Sequence, residues 1–344
     1  IVGGGTALGF MPALMGLPTN AELGAALHQL VPSGDGAANA GTLQTSSTFA
    51  QHLLSGRTVG EGDAYAVIRE GQCVWVRGTV RHTSIDKDSG FSAKETAPFV
   101  SAGAQFNLGG PWRAGGGIGY ESANLRSGAN SETDTDRLHL GGVIKYNPGP
   151  LLLALSVTGG FGWSDMERHV AFGAFAGTAT ADYDSDFISG RFTAAYLLPF
   201  SGFYVKPQIE VANTYLSRDG YTERGPGGIA LAVADTDDNV WTVSPVLELG
   251  TQIALESGGI ARPFIRTGLT WRDTDTFVTS AAFADAPGST PFRVASELDD
   301  VTFDLGAGVD LITAGDTALR IQYDGQFGDT VTLHAGSAKL SVRF

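Results

Sequence analysis

In DTALRIQYDGQF, Asp316–Phe327, the residues Leu319, Ile321, Tyr323 and Phe327 fall on one side and Arg320, Gln322, Asp324 and Gln326 on the other. Alternation of this kind is the two-residue period of a strand with one apolar and one polar face. The closing segment repeats it, with Leu340, Val342 and Phe344 opposed to Lys339, Ser341 and Arg343. Further upstream, Val205, Pro207, Ile209 and Val211 alternate with Lys206, Gln208, Glu210 and Thr214, and Val243, Leu247, Leu249 and Ile253 with Thr242, Ser244, Glu248 and Gln252. Twelve such segments fit at roughly 73–85, 95–107, 111–125, 135–147, 150–163, 181–198, 202–216, 239–255, 260–272, 298–312, 317–327 and 331–344. Most exceed the about 5–6 residues of a globular strand and reach the roughly 9–11 that a tilted strand needs to cross a bilayer.

The connections separate a sandwich from a membrane barrel. Asn107–Pro111, Asn147–Pro150, Pro199–Gly202, Glu256–Gly259 and Thr313–Asp316 are tight turns of Gly, Pro, Asn and Asp. Between them lie longer polar connections, Asp86–Lys94, Arg126–Asp134, Ser164–Thr180, Leu216–Asp238 and Asp273–Glu297, with the short Gly328–Thr330 last. Alternating short and long connections are the signature of an up-and-down transmembrane barrel. The reading is therefore an all-β, twelve-stranded antiparallel up-and-down transmembrane β-barrel.

Composition agrees. Of 344 residues 48 are Gly, and the net charge is −14, which argues against a nucleic-acid partner because phosphate binding needs clustered Lys and Arg. Gly115, Gly116, Gly117 and Gly119 crowd one strand and Gly306 and Gly308 another, where they permit curvature and close approach of an inserted helix; no helical pattern follows Gly119, so this is not a phosphate loop. Cys73 is the single cysteine, which excludes an intramolecular disulfide and a cysteine zinc site. The longest apolar stretches, Ala7–Leu17 and Leu151–Val157, are too short for a membrane helix. Ile1–Phe10 carries no Lys or Arg, so it does not read as a signal peptide, and the chain is expected to start within a longer precursor or to have been processed.

Before residue 72 the pattern is helical. Asn20 is a candidate N-cap for Ala21–Leu30, with Glu22 in the first turn. A second helix is expected over Leu43–Ser55, ending at Gly56; its Leu43, Ala50, Leu53 and Leu54 face Gln44, Ser46, Ser47, Gln51 and His52, too polar for a core and suited to a wet cavity.

RPFIRTGLTWR (Arg262–Arg272), LRIQYDGQFGD (Leu319–Asp329) with Tyr323, Gly325 and Phe327, His334 and the closing LSVRF (Leu340–Phe344) resemble the autotransporter β-domain of type V secretion. CVWVRGTV (Cys73–Val80) after a short helix is similar to the start of that domain, and the resemblance covers about residues 43–344. It implies a linker or passenger tail with a short helix at 1–42, a pore helix and connection at 43–72, and a translocator barrel at 73–344. It further implies a non-enzymatic, monomeric outer-membrane protein of a Gram-negative bacterium that carries an N-terminal passenger to the cell surface and anchors it. The helix carrying Leu43, Phe49, Gln51, Leu53 and Leu54 then lies in the lumen, and Leu340, Val342 and Phe344 form the signal read by the barrel assembly machinery. Outer-membrane lipid, lipopolysaccharide and the passenger are the other partners implied.

Arg191, Lys206, Glu210, Glu248, Arg262, Arg266, Asp304, Asp310, Arg320, Asp324 and Lys339 occupy the polar alternating positions. An Arg or Lys facing lipid at mid-membrane costs roughly 2–4 kcal/mol, so these residues are expected in the lumen, paired around a hydrated helix. Catalytic signals are weak. Ile1–Gly4, IVGG, resembles the start of trypsin-like proteases, but the nucleophile motif and the cysteines of that family are missing; Asp88-Ser89-Gly90 reads as a turn. His28, His52, His82, His139, His169 and His334 lack metal-ligand spacing, and the loop carboxylates Asp182, Asp184, Asp186, Asp235, Asp237, Asp238, Asp299 and Asp300 do not follow a calcium-loop pattern. No cofactor or catalytic residue is assigned. Self-cleavage by Glu210 or Glu248 has no specific motif behind it. An outer-membrane porin, and after it a twelve-stranded hydrolase, are the alternative readings.

Overall fold

The computed structural model describes residues 8–32, 34–54, 71–85, 92–128, 130–256, 258–286, 288, 290–313 and 317–344. The expectations for Ile1–Gly4, for Ser55 and the Gly56 cap, for Asp88-Ser89-Gly90 and for turn residues 314–316 lie outside the described residues. Twelve long strands form one antiparallel sheet: β1 (Cys73–Ile85), β2 (Ala93–Gly109), β3 (Trp112–Ser127), β4 (Ser131–Tyr146), β5 (Leu151–Phe172), β6 (Phe175–Tyr196), β7 (Tyr204–Arg218), β8 (Thr236–Gly250), β9 (Ile260–Arg272), β10 (Val301–Ile312), β11 (Thr317–Phe327) and β12 (Val331–Arg343). Each strand pairs with its neighbours in sequence, and β1 closes the ring on β12 from Cys73↔Arg343 to Ile85↔Val331. Among the described residues the spanning part of the sheet is left with no open edge, as hydrocarbon requires.

Alternation in sequence becomes two faces in space. On β5, Leu155, Val157, Phe161 and Trp163 point outwards and stay exposed, while Ala154, Ser156, Thr158 and Ser164 point inwards and are buried. Aromatic rings mark both rims. Trp112 tilts against Tyr146 at 4.8 Å and Phe200 stacks on Phe203 at 5.0 Å near the tight turns. Trp163, Tyr215, Trp241 and Trp271 stand outward near the opposite end. From Leu151 to Trp163, twelve rises of about 3.3 Å inclined by about 40° give a band roughly 30 Å high, enough for the hydrocarbon core.

Beyond that band the loop end departs from expectation. The polar connection Ser164–Thr180 is almost entirely strand: β5 and β6 continue to a tight hairpin in which Gly173 takes φ +55°. The reason is an inversion of faces. Past Trp163 the inward residues of β5 are Met166, Val170 and Phe172 with one charged residue, Arg168, and those of β6 include Ala179, Ala181 and Tyr183, whereas Asp165, Glu167, His169, Asp182 and Asp184 point out. Water replaces lipid outside, so polar residues move outward and apolar ones inward. Arg126–Asp134 likewise shrinks to residues 128–130. The connections Leu216–Asp238 and Asp273–Glu297 contribute the short strands Tyr221–Thr222, Leu231–Val233, Thr276–Phe283 and Phe292–Glu297, which form a second, four-stranded sheet.

The N-terminal region holds α1 (Met11–Met15), α2 (Asn20–His28) and α3 (Asp35–Leu54). The cap of α2 is Thr19, whose hydroxyl accepts from the Glu22 amide at 3.2 Å, so Asn20 is the first helical residue rather than the cap. Helix α3 starts eight residues before the expected Leu43. Its first two turns, DGAANAGT, have no apolar stripe, and the surrounding wall rather than local pattern holds them helical. The short α1 and α2 and the residues beside them pack Phe10, Leu14, Ala26 and Leu30 against Val170, Phe172 and Ala179 of the protruding hairpin and Ile229 of the connection between β7 and β8.

Candidate functional site: the barrel lumen and its helix

Helix α3 lies inside the barrel, and fourteen of its twenty residues are buried, so the expected poor core element is well packed. Packing is one-sided. Phe49 and Leu53 join Cys73, Trp75, Phe99, Val143 and Ala154 of the β1–β5 wall in one apolar cluster. Leu53 sits over Gly117 and Gly141: a Cβ on Gly117 would lie 3.1 Å from its Cδ2 and one on Gly141 2.8 Å from its Cδ1. The clustered glycines thus form a socket. At Gly41 the helix backbone approaches the Glu95 carboxylate so closely that a side chain there would collide with it.

Charges bind the same wall to the helix. Glu121 is fully buried and accepts from Arg137 Nη1 at 2.7 Å, from Arg81 Nη1 at 3.4 Å and from the Thr45 hydroxyl of α3 at 2.5 Å. Arg81 also donates to Glu95 at 2.7 Å, and Arg137 Nη2 donates to the Thr42 hydroxyl at 3.0 Å. Two cations and two carboxylates balance, which is the condition for tolerating buried charge. His52 of α3 stacks on Phe99 at 5.0 Å and contacts Ser101 Oγ at 2.7 Å and Thr79 Oγ1 at 3.1 Å. At the tight-turn end Lys145 Nζ donates to the Leu54 carbonyl at 2.9 Å, placing a cation at the negative end of the helix dipole.

The opposite wall is polar. Between α3 and β7–β11 lies a cavity of about 130 Å³ lined by Ser46, Ser47 and Gln51 of the helix and by Thr214, Ser244, Thr270 and Asp304 of the wall. Here Arg191 pairs with Glu210 and donates to Ser47 Oγ at 2.8 Å, Lys206 meets Glu248 at 2.8 Å, Arg266 pairs with Asp324, and Arg320 meets Asp310 at 2.5 Å. Arg262 donates to Gln252 at 2.9 Å, and Asp304 accepts from Thr270 at 2.6 Å. Lys339 stands 5.2 Å over the Trp75 ring. All eleven of the charged residues singled out by alternation are on the inward face. Arg81, Glu95, Glu121 and Arg137 carry the tightest network yet were not singled out; Arg81 obeys the same alternation between Val80 and His82 and was within reach of that rule.

Of the helix residues, Leu43, Phe49 and Leu53 are buried, while Gln51 and Leu54 are half-buried beside the void. Leu340, Val342 and Phe344 are outward on β12 and at its end, and the Phe344 ring meets Phe106 edge-on at 6.0 Å. At the loop end Asp35 accepts from Tyr221 at 2.9 Å and meets Arg218 at 3.4 Å, with Arg218 lying over the stacked Tyr183 and Tyr221 rings. Asp182 and Asp184 are exposed, whereas Asp299 accepts from the Thr330 and Val331 amides at 2.8 and 2.7 Å and ties a loop.

Comparison with known proteins gives this geometry a family. The autotransporter β-domain family model matches residues 74–324. The BrkA autotransporter of Bordetella pertussis is 29% identical over 236 residues, 66% of this chain and 22% of that protein, so the chain spans about a fifth of the length of the curated relative it matches. Among solved structures, the translocator domain of the autotransporter NalP from Neisseria meningitidis shares the fold, with a TM-score of 0.71 at 13% identity over 91% of this chain and all of that one. The β-domain of the Bordetella autotransporter BrkA gives a TM-score of 0.60 at 22% identity over 80% of this chain and all of that one. With the family model spanning well over half of the sequence, the chain belongs to the autotransporter β-domain family.

Proposed function

We propose that this barrel carries an N-terminal passenger across the outer membrane of a Gram-negative bacterium and keeps it tethered at the surface. The observation behind this reading is a chain threaded through the pore, with Asp35 beside Arg218 and Tyr221 at the loop end and Leu54 beside Lys145 at the tight-turn end. Twenty helical residues at about 1.5 Å each cover roughly 30 Å, the height of the hydrocarbon core. Whatever precedes Asp35 is thereby delivered to the side opposite the tight turns. An epitope-tagged passenger fused upstream should be removed by protease added to intact cells; a tag protected outside and cleaved only after lysis would overturn the reading.

The partition that accompanies it keeps the barrel at 73–344 and moves the start of the pore helix from 43 to Asp35. Leu340, Val342 and Phe344 act as the assembly signal, so deletion of Phe344 should lower insertion sharply. Lipopolysaccharide surrounds the outer rim of a monomer. The barrel is read as non-enzymatic, with Glu210 and Glu248 neutralising Arg191 and Lys206 rather than acting as self-cleavage acids. A general diffusion channel would conduct freely with α3 in place; here conductance should stay low until residues 1–60 are deleted.

A further inference from the structure

The tether is fixed at two places, and only one of them is in the lumen. Outside the membrane band, Arg168 of β5 is fully buried and all its bonding directions converge on the joint between the hairpin and the N-terminal segment. Its Nε donates to Glu223 Oε1 at 3.0 Å, one Nη pairs with Glu223 Oε2 and donates to the Ile229 carbonyl at 2.9 Å, and Nη1 donates to the Gln29 carbonyl at 2.6 Å. Glu223 also accepts from the Leu231 amide at 2.9 Å. The Gln29 side chain accepts from the Ala171 amide at 2.7 Å. A buried Arg–Glu pair is costly unless every donor is used. Without the backbone carbonyl of residue 29, Nη1 loses its acceptor, so the outer platform is incomplete until the tether is seated.

A second set of contacts lies farther towards the N-terminus. The Phe10 amide donates to the Gly227 carbonyl at 3.1 Å, and the Phe10 ring is buried among Phe172, Phe175 and Phe283 at centroid distances of 6.2, 6.3 and 5.4 Å. Outward tension on the N-terminus meets Phe10 first, then Gln29, then the Asp35 contacts at the mouth, and α3 last.

We propose that Leu8–Leu30, docked on the platform of β5, β6, Glu223 and Gly227, is a load-bearing latch that takes the pull of a surface passenger before it reaches the lumen helix. The proposal deepens the tethering function and rests on it for the source of the load. The latch itself is a property of the folded chain.

The test is single-molecule pulling on the full chain in an outer-membrane lipid bilayer, with the handle at the N-terminus. Two successive ruptures are expected, the first releasing roughly 75 Å of chain for the residues from Leu8 to Leu30. Gln29→Ala, which removes the side-chain bond to the Ala171 amide and leaves the backbone carbonyl on Arg168, combined with Phe10→Ser, which removes the buried ring, changes only the tether side and should lower the first rupture force at least twofold while leaving the second unchanged. Gln29→Ala alone should give an intermediate value, which guards against a latch that simply fails to form in the double variant. A single rupture in the unaltered chain, or a first rupture indifferent to both substitutions, would overturn the latch. Failure of the passenger reading would appear separately, as protection of the tag from external protease with the two ruptures intact.

Discussion

The two halves of the β5–β6 hairpin are built by opposite rules from one continuous pair of strands. Below Trp163 the outward residues are Leu155, Val157 and Phe161 and the inward ones Ser156 and Thr158; above it the outward residues are Asp165 and Glu167 and the inward ones Met166, Val170 and Phe172, with Arg168 the one buried charge of β5 among them. Backbone pairing runs unbroken through the change, from Leu151↔Tyr196 to Phe172↔Phe175. What differs is the solvent on each face. Below, lipid lies outside and paired charges inside; above, water lies outside and a small apolar core around the single Arg168–Glu223 pair inside. A sheet thus accepts either polarity, and the surroundings decide which face is which.

The largest expected effect comes from breaking the polar interior of the lower half. Glu121→Ala leaves the buried Arg81 and Arg137 short of a carboxylate and should cost about 3–5 kcal/mol. Urea unfolding, followed by the loss of the heat-modifiable compact form on gels, measures this. Replacing a lipid-facing residue tests the outside of the same half. Leu155→Arg should cost about 2–4 kcal/mol by that assay, whereas Glu167→Arg, on the same face twelve residues further along, should stay within about 0.5 kcal/mol. Equal effects at the two positions would abolish the distinction drawn here.

The upper interior is next. Val170→Ala removes two buried methyl groups and should cost about 2 kcal/mol, confined to the protruding hairpin. Hydrogen exchange should rise at Ala171 and Ala179 while the β1–β12 seam stays protected.

The smallest effect concerns acid outside the membrane. Asp165 faces Asp182 across the hairpin, and the hydrogen bond between the two carboxyls, helped by desolvation and the like charges of Asp182, Asp134 and Asp136, raises the Asp165 pKa. The folded state therefore keeps a proton that the unfolded chain has lost. This contribution to stability is full below the ordinary aspartate pKa and disappears as pH rises through the raised value. Asp165→Asn should flatten that slope and gain about 0.2–0.5 kcal/mol at neutral pH, an exposed like-charge term weakened by salt. A steeper acid slope in the variant would contradict the assignment.

The same contrast explains what could be read in advance. The twelve spanning strands were legible because lipid imposes apolar outward residues at every second position, as in Leu319, Ile321 and Tyr323. The upper hairpin was not, because the alternation reverses at Trp163 and reads as a polar loop when one face is assumed to stay apolar. The lumen charges from Arg191 onward were legible beside clearly apolar neighbours. Glu121 and Arg137 lie close to the loop end, between Tyr120 and Ser122 and between Asp136 and Leu138, where polar residues stand on both faces. The first turns of α3 were hidden for another reason: Gly36 and Gly41 are poor helix formers, chosen by the crowding of Ser296 and Glu95 and not by helical preference.

The glycine socket under Leu53 has a metrical consequence. With Leu53 seated over Gly117 and Gly141 at one end and Gln29 bound to Arg168 at the other, the chain between them works as a ruler of fixed length. A three- or four-residue deletion between Ala37 and Ala50 shortens that ruler by one helical turn, about 5 Å, and forces it to let go at one of its two marks.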